Sequence, residues 1–98
     1  GDTRFYPEEQ LLRKGMKKMH LNKYQTMVLL ELCNNQDVFL SRNEIIQAVW
    51  GVDNCKIKEN SLNNVLSSLR KYFADDPKVE ISSIIKLGVK LYVEEPLD

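Results

Sequence analysis

The residues best equipped to meet a partner lie between Lys58 and Phe73. Leu62, Val65, Leu66, Leu69 and Phe73 recur at helical spacing, so one side of a helix is apolar and needs a core. The opposite side carries Asn60, Asn64, Ser67 and Lys71, flanked by Asn63, Ser68 and Arg70, with no carboxylate beyond Glu59 at the start. Solvated helix faces ordinarily mix Glu with Lys; this one offers short neutral hydrogen-bonding groups and then two cations. An amide side chain presents a donor and an acceptor together, as an adenine edge requires, a hydroxyl serves either, and cations sit on phosphates. The stretch reads as a recognition helix. Catalysis has no comparable candidate: the chain holds no Gly-rich phosphate loop, nucleophile–base pattern or metal motif, and only one His. Neither a metal nor a cofactor is expected.

The elements that must position this helix follow from local signals. Arg4 to His20 is broken by Pro7 and Gly15 into short segments that fit strands. Asn22, with Gln25 three residues on, caps a broadly apolar helix through Tyr24, Met27, Val28, Leu29, Leu30 and Leu32. That helix ends near Asn34-Asn35, residues that tolerate a left-handed terminus. Ser41 to Glu44 is a capping box for a second helix whose apolar side is Ile45, Ile46, Val49 and Trp50, and Gly51 stops it. Val52 to Ile57 reads as a short loop. The third helix runs from about Lys58 to Phe73, with Asn60 or Ser61 available to cap it, and Pro77 forbids continuation. Ile81 to Ile85 and Val89 to Val93 are β-rich runs around a turn at Lys86-Leu87-Gly88, with Gly88 at a positive-φ position. Tyr24, Trp50 and Phe73 are expected in the core, and His20 in a structural role.

A chain of 98 residues supports one core. No apolar run approaches the ~20 residues of a membrane span. Cys33 and Cys55 have neither CxxC nor Cys/His spacing, which suggests a reducing compartment over a disulfide scaffold. The opening Gly, in place of Met, suggests a piece of a longer protein. The formal net charge is zero, yet the signs are segregated. Arg13, Lys14, Lys17, Lys18 and Lys23 form an acid-free cluster, and Lys56, Lys58, Arg70 and Lys71 face only Glu59. The acids gather at Glu8 and Glu9, Asp75 and Asp76, and Glu94, Glu95 and Asp98. Such a dipolar chain can present one positive face. The balance implies modest affinity for a lone site, and therefore a dimer or a partner regulator.

The order of strands, three helices and a terminal hairpin resembles the winged helix-turn-helix domain of OmpR/PhoB-type bacterial transcription regulators. Leu40-Ser-Arg-Asn-Glu-Ile-Ile-Gln-Ala-Val-Trp-Gly51 is similar to that family's second helix, and Leu69-Arg70-Lys71 to the end of its third. Ser61 to Lys71 looks most like the ToxR/CadC-like branch of one-component regulators. The resemblance implies an α+β fold with an N-terminal antiparallel sheet over about residues 3–20, three helices over 22–74 and a wing over 79–94, all in one domain, 1–98. It implies sequence-specific binding of double-stranded DNA in transcription control, in the cytoplasm, with any membrane anchor outside these residues. Asn63, Asn64 and Ser67 would read base edges or bridging waters, and Arg70 and Lys71 would hold phosphates. Asn60 stands at a helix start where a phosphate or an ordinary cap could sit, and Ser68 completes the DNA-binding set. The second helix crosses the DNA backbone in such proteins, which makes Arg42 a phosphate contact or the partner of an acid such as Glu44. In the wing, Leu87 and Val89 replace the family's usual Arg and Tyr. Either Lys86 or Lys90 takes over the phosphate contact, or the wing binds protein, or Leu87 folds onto the core. Val52 to Ile57 matches in place the family segment that contacts RNA polymerase. Two other readings remain: a protein-interaction module of weak DNA affinity, favoured by zero net charge and Leu87, and the effector domain of a two-component response regulator.

Overall fold

The computed structural model describes residues 3–94; the acids expected at Glu95 and Asp98 lie outside them. Strands β1 (Thr3–Tyr6), β2 (Leu11–Lys14) and β3 (Lys17–His20) form an antiparallel sheet in that order. Period-two alternation puts Phe5, Leu12 and Met19 on one rung, facing the core. Pro7 opens a single 3-10 turn, Pro7–Glu9, and Gln10 closes it in the left-handed region. The sheet is tied to the far end of the domain by Thr3 Oγ1, which donates to Asp76 Oδ2 at 2.9 Å. Asp76 is buried, and its other oxygen accepts from the Lys78 amide, so this acid serves structure.

Helix α1 (Lys23–Cys33) begins with the expected capping box, the Asn22 side chain accepting from the Gln25 amide and the Gln25 side chain from the Asn22 amide. The core covers only the Thr26, Val28, Leu29 and Leu32 side of it. Two expectations fail here. Leu30 and Tyr24 are exposed, because the apolar stretch is wider than the stripe the core can cover. Tyr24, in the first turn, instead stacks on the half-buried Trp50, ring centroids 5.2 Å apart. The expected left-handed terminus at Asn34-Asn35 is absent: Asn34 stays right-handed, and Asp37 carries the positive φ, +62°. Helix α2 (Arg42–Trp50) has its Ser41 capping box and ends at Gly51, φ +65°, both as expected.

The segment read as a loop contains a second 3-10 turn, Cys55–Lys58, capped by the Asn54 side chain. It runs straight into α3 (Glu59–Tyr72), which therefore starts without a side-chain cap; neither Asn60 nor Ser61 is used that way. Leu62, Val65, Leu66, Leu69 and Phe73 are all buried, as their spacing required. Each such side chain brings about 1.5–3 kcal/mol of transfer free energy.

Strands β4 (Val79–Ile84) and β5 (Gly88–Val93) form the hairpin, with Ile84 paired to Gly88. Its position is fixed by backbone. Leu40 and Val89 exchange two hydrogen bonds of 2.8 and 2.9 Å, and the Asp37 amide donates to Leu91 O. The chain entering α2 thus lies along the free edge of β5. Gly88, at φ +121°, passes so close that a Cβ there would overlap the Leu40 carbonyl oxygen. Cys33 and Cys55 are free thiols, and burial pushes the Cys33 thiol from its ordinary 9.0 up to about 12.

Three outcomes follow. Gly88→Ala should cost about 2–4 kcal/mol, from backbone overlap and a disfavoured φ, measured as a drop in the urea midpoint. Gly15→Ala, with open space around it at φ +60°, should cost only about 1–2 kcal/mol, from φ alone. Cys33 has a raised folded pKa, so its contribution to stability is complete below pH 9.0 and is lost as pH rises toward about 12. Urea titrations across that range should show Cys33→Ala losing less stability than the parent chain.

Candidate nucleic-acid interface

The outer side of α3 is a consequence of its inner one. With Leu62, Val65, Leu66 and Leu69 turned into the core, spacings of four, three and four bring Asn60, Asn64, Ser67 and Lys71 into one exposed ridge. None of these four side chains makes a hydrogen bond or ion pair within the described residues. Ser68 sits half-buried beside the ridge. Asn63 is exposed on the flank that faces α2 and the hairpin.

That flank is built differently, and it engages cations that the sequence reading had assigned to phosphates. Arg42, at the start of α2, donates through Nε to Glu59 Oε2 at 2.7 Å, and through its terminal nitrogen to Asn63 Oδ1 at 2.6 Å. Its acid partner is Glu59, 17 positions away, and not Glu44, whose carboxylate is taken by the Ser41 amide of the capping box. Arg70 donates to Ile81 O at 3.1 Å and to Ser83 Oγ at 2.7 Å, joining α3 to the hairpin. Lys90 is half-buried, 3.6 Å from Asp37 Oδ1 and 4.9 Å from the Phe39 ring centre. Lys86, exposed at the hairpin tip with φ +70°, has no such engagement. Of the five cations assigned to DNA contact, Arg42, Arg70, Lys71, Lys86 and Lys90, only Lys71 and Lys86 have no partner among the described residues.

An open cleft of about 360 Å³ runs between the helices and the hairpin, lined by Arg42, Glu59, Asn63, Ser83, Ile85 and Lys86 among others. The hairpin tip is apolar: Ile85 is 91% exposed, and Leu87, at 49%, has not folded away onto the core. The basic cluster lies on the other sheet, where Arg13 stands opposite Lys18 and Lys14 opposite Lys17. That sheet touches the end of α3 through the Tyr72 hydroxyl, which donates to His20 O, giving His20 its structural role through the backbone. Among the described residues, no group of three or more His, Cys, Asp or Glu could hold a metal ion.

Sequence reasoning missed Glu59 as the anchor of Arg42, and Ser83 as a partner of Arg70. Glu59 had one legible cue, since it is the only acid in α3; its partner was hidden by sequence distance.

A model of the family described as "Transcriptional regulatory protein, C terminal" matches residues 16–91. The transcriptional regulatory protein RprY of Bacteroides fragilis is 29% identical over 96 residues, covering 98% of this chain and 40% of that protein. The cholera toxin homolog transcriptional activator of Vibrio parahaemolyticus is 27% identical over 81 residues, covering 81% of this chain and 28% of its own length. The chain thus spans less than half the length of either relative. In three dimensions it is similar to the DNA-binding domain of E. coli CadC, with TM-score 0.75 and 24% identity over 95% of this chain and 88% of that one. That likeness establishes the winged-helix fold.

Removing the tie between α3 and the hairpin should be measurable. Arg70→Ala should cost about 1 kcal/mol of stability. Hydrogen exchange should quicken in β4 and β5 but not in β1 to β3; uniform quickening would contradict the local role of Arg70.

Proposed function

The chain belongs to the family of transcriptional regulatory protein C-terminal domains, and on that premise we propose that it reads duplex DNA sequence-specifically, with α3 lying in the major groove. The observation that carries this reading is the ridge of Asn60, Asn64, Ser67 and Lys71, exposed, acid-free and without partners among the described residues. Hydrogen-bonding groups held rigidly over a core and left unsatisfied by the protein suit base edges, and Lys71 beside them suits a phosphate. Asn64 and Ser67 face bases, Lys71 and Lys86 hold backbone phosphates, and Asn60 and Ser68 contribute at the margins. Arg42 and Arg70 act chiefly by fixing what lies beside them, and Lys90 by bracing the hairpin.

The few unengaged cations on this face give a modest counterion-release term, which supports binding as a dimer or beside a partner regulator. The wording of Ser61 to Lys71 and the likeness to the Vibrio activator support a one-component regulator working in the cytoplasm, with any membrane anchor in segments beyond this domain. The 3-10 turn at Cys55–Lys58 presents the exposed Lys56 and Ile57 beside α3, a surface suited to contact with RNA polymerase. A second reading, docking on protein through the hairpin, is favoured by one observation, the exposed Ile84, Ile85 and Leu87 at its tip.

Fluorescence anisotropy against duplexes of different sequence, repeated across salt concentrations, tests the assignment. Lys71→Ala should weaken all sites alike and lower the slope of log affinity on log salt by about one unit. Asn64→Ala should leave that slope alone and shift preference between sites by about 1–3 kcal/mol. A preference unchanged by Asn64→Ala would remove Asn64 from base reading. An Ile85→Ser variant that keeps its DNA affinity but loses a protein partner would favour the second reading.

A further inference from the structure

The two adjacent asparagines of α3 stand in different hydrogen-bonding states. Asn64 has both halves of its amide unengaged, whereas Asn63 accepts a 2.6 Å hydrogen bond from the guanidinium of Arg42. A guanidinium only donates, so the atom of Asn63 turned toward it must be the oxygen. The contact is not casual, because Arg42 is held from the other side: Nε donates to the Glu59 carboxylate at 2.7 Å, and the terminal nitrogen reaches the Glu59 carbonyl at 3.5 Å. Glu59 and Asn63 are one helical turn apart, so Arg42 bridges two side chains of the same helix and sets the rotation of the second. The Asn63 oxygen thus has one of its two lone pairs engaged by Arg42, which competes with any donor a base presents to it. Its NH2 group makes no hydrogen bond among the described residues.

We propose that Arg42 is a positioning residue for base specificity, holding the Asn63 oxygen so that Asn63 reads a base chiefly through its NH2 donors. An amide with both ends available pairs in two-way fashion with adenine N6 and N7. An amide whose oxygen is already held by a guanidinium gains less from the adenine amino group and suits an edge rich in acceptors, O6 and N7 of guanine or O4 of thymine. The two asparagines therefore read different bases despite identical chemistry: Asn64 takes adenine, and Asn63 takes guanine or thymine. Arg42 specifies without touching a base, and Glu59, the single acid of the recognition helix, is present to aim it. This inference rests on α3 lying in the major groove, as proposed above.

Selection of this domain on randomised duplexes, followed by anisotropy on the selected sites, decides the matter. The parent chain should prefer guanine or thymine at the position that Asn63→Ala makes indifferent. Arg42→Met, which keeps the aliphatic stem and drops the donors, should shift that position toward adenine by about tenfold and leave the others unchanged. Arg42→Lys should restore the original preference, because an ammonium also only donates. Should Arg42→Met fail to fold, Asn63→Asp supplies the same decision: the carboxylate still accepts from Arg42 but has no donor to offer, so the preference for guanine or thymine should disappear. Arg42→Met that weakens every duplex equally and lowers the salt slope by about one unit would overturn the proposal, making Arg42 a phosphate ligand. Binding with base preference unchanged in Arg42→Met, or in Asn63→Asp where Arg42→Met does not fold, would overturn this inference alone. Failure of the folded parent chain to bind any duplex would overturn the major-groove reading and this inference with it.

Discussion

The availability of one face of α3 depends on the burial of the other. Five apolar side chains, Leu62, Val65, Leu66, Leu69 and Phe73, are taken out of water together, and the helix has no rotation left that would keep them there and turn the ridge elsewhere. The absence of partners for Asn60, Asn64, Ser67 and Lys71 among the described residues follows from this, since the buried stripe and the ridge lie on opposite sides of one cylinder. Residues whose polar groups are held outward by packing elsewhere are preorganised for a ligand, because no side of the helix must be rearranged on binding.

The second constraint is the placement of the hairpin. Backbone bonds between Leu40 and Val89 press β5 against the chain that enters α2, and only a residue without Cβ fits at Gly88. Arg70 closes the arrangement from α3. Helix, helix start and hairpin therefore meet at fixed distances around one cleft. Arg42, Arg70 and Lys90 are the cations that take part in that rigidity. Of the cations singled out on this face, Lys71 and Lys86 alone have no partner among the described residues.

Local chemistry in the sequence was a good guide wherever the deciding interaction was local. Both capping boxes, the Gly51 stop, the turn at Gly88 and the buried stripe of α3 follow from residues within a few positions of each other. The fold follows from these elements in order. What could not be read was decided across sequence distance. Tyr24 carries the apolarity of a core residue, yet it caps Trp50 at the surface, because the core had no room on that side of α1. Arg42 and Arg70 have the composition of phosphate ligands; their engagement with Glu59, Asn63, Ile81 and Ser83 depends on elements brought together only by folding. At the start of α3 a 3-10 turn replaced a side-chain cap, a choice the local residues left open.

The most direct test of the central claim is an NMR titration of the domain with a duplex, following backbone amides and the side-chain NH2 groups of Asn60, Asn63 and Asn64. Binding through α3 predicts that those NH2 signals and the amides around Ser67, Lys71 and Lys86 move first and furthest, with β1 to β3 little changed. Shifts concentrated at Arg13 to Lys18 on that sheet, with the three NH2 signals unmoved, would contradict it.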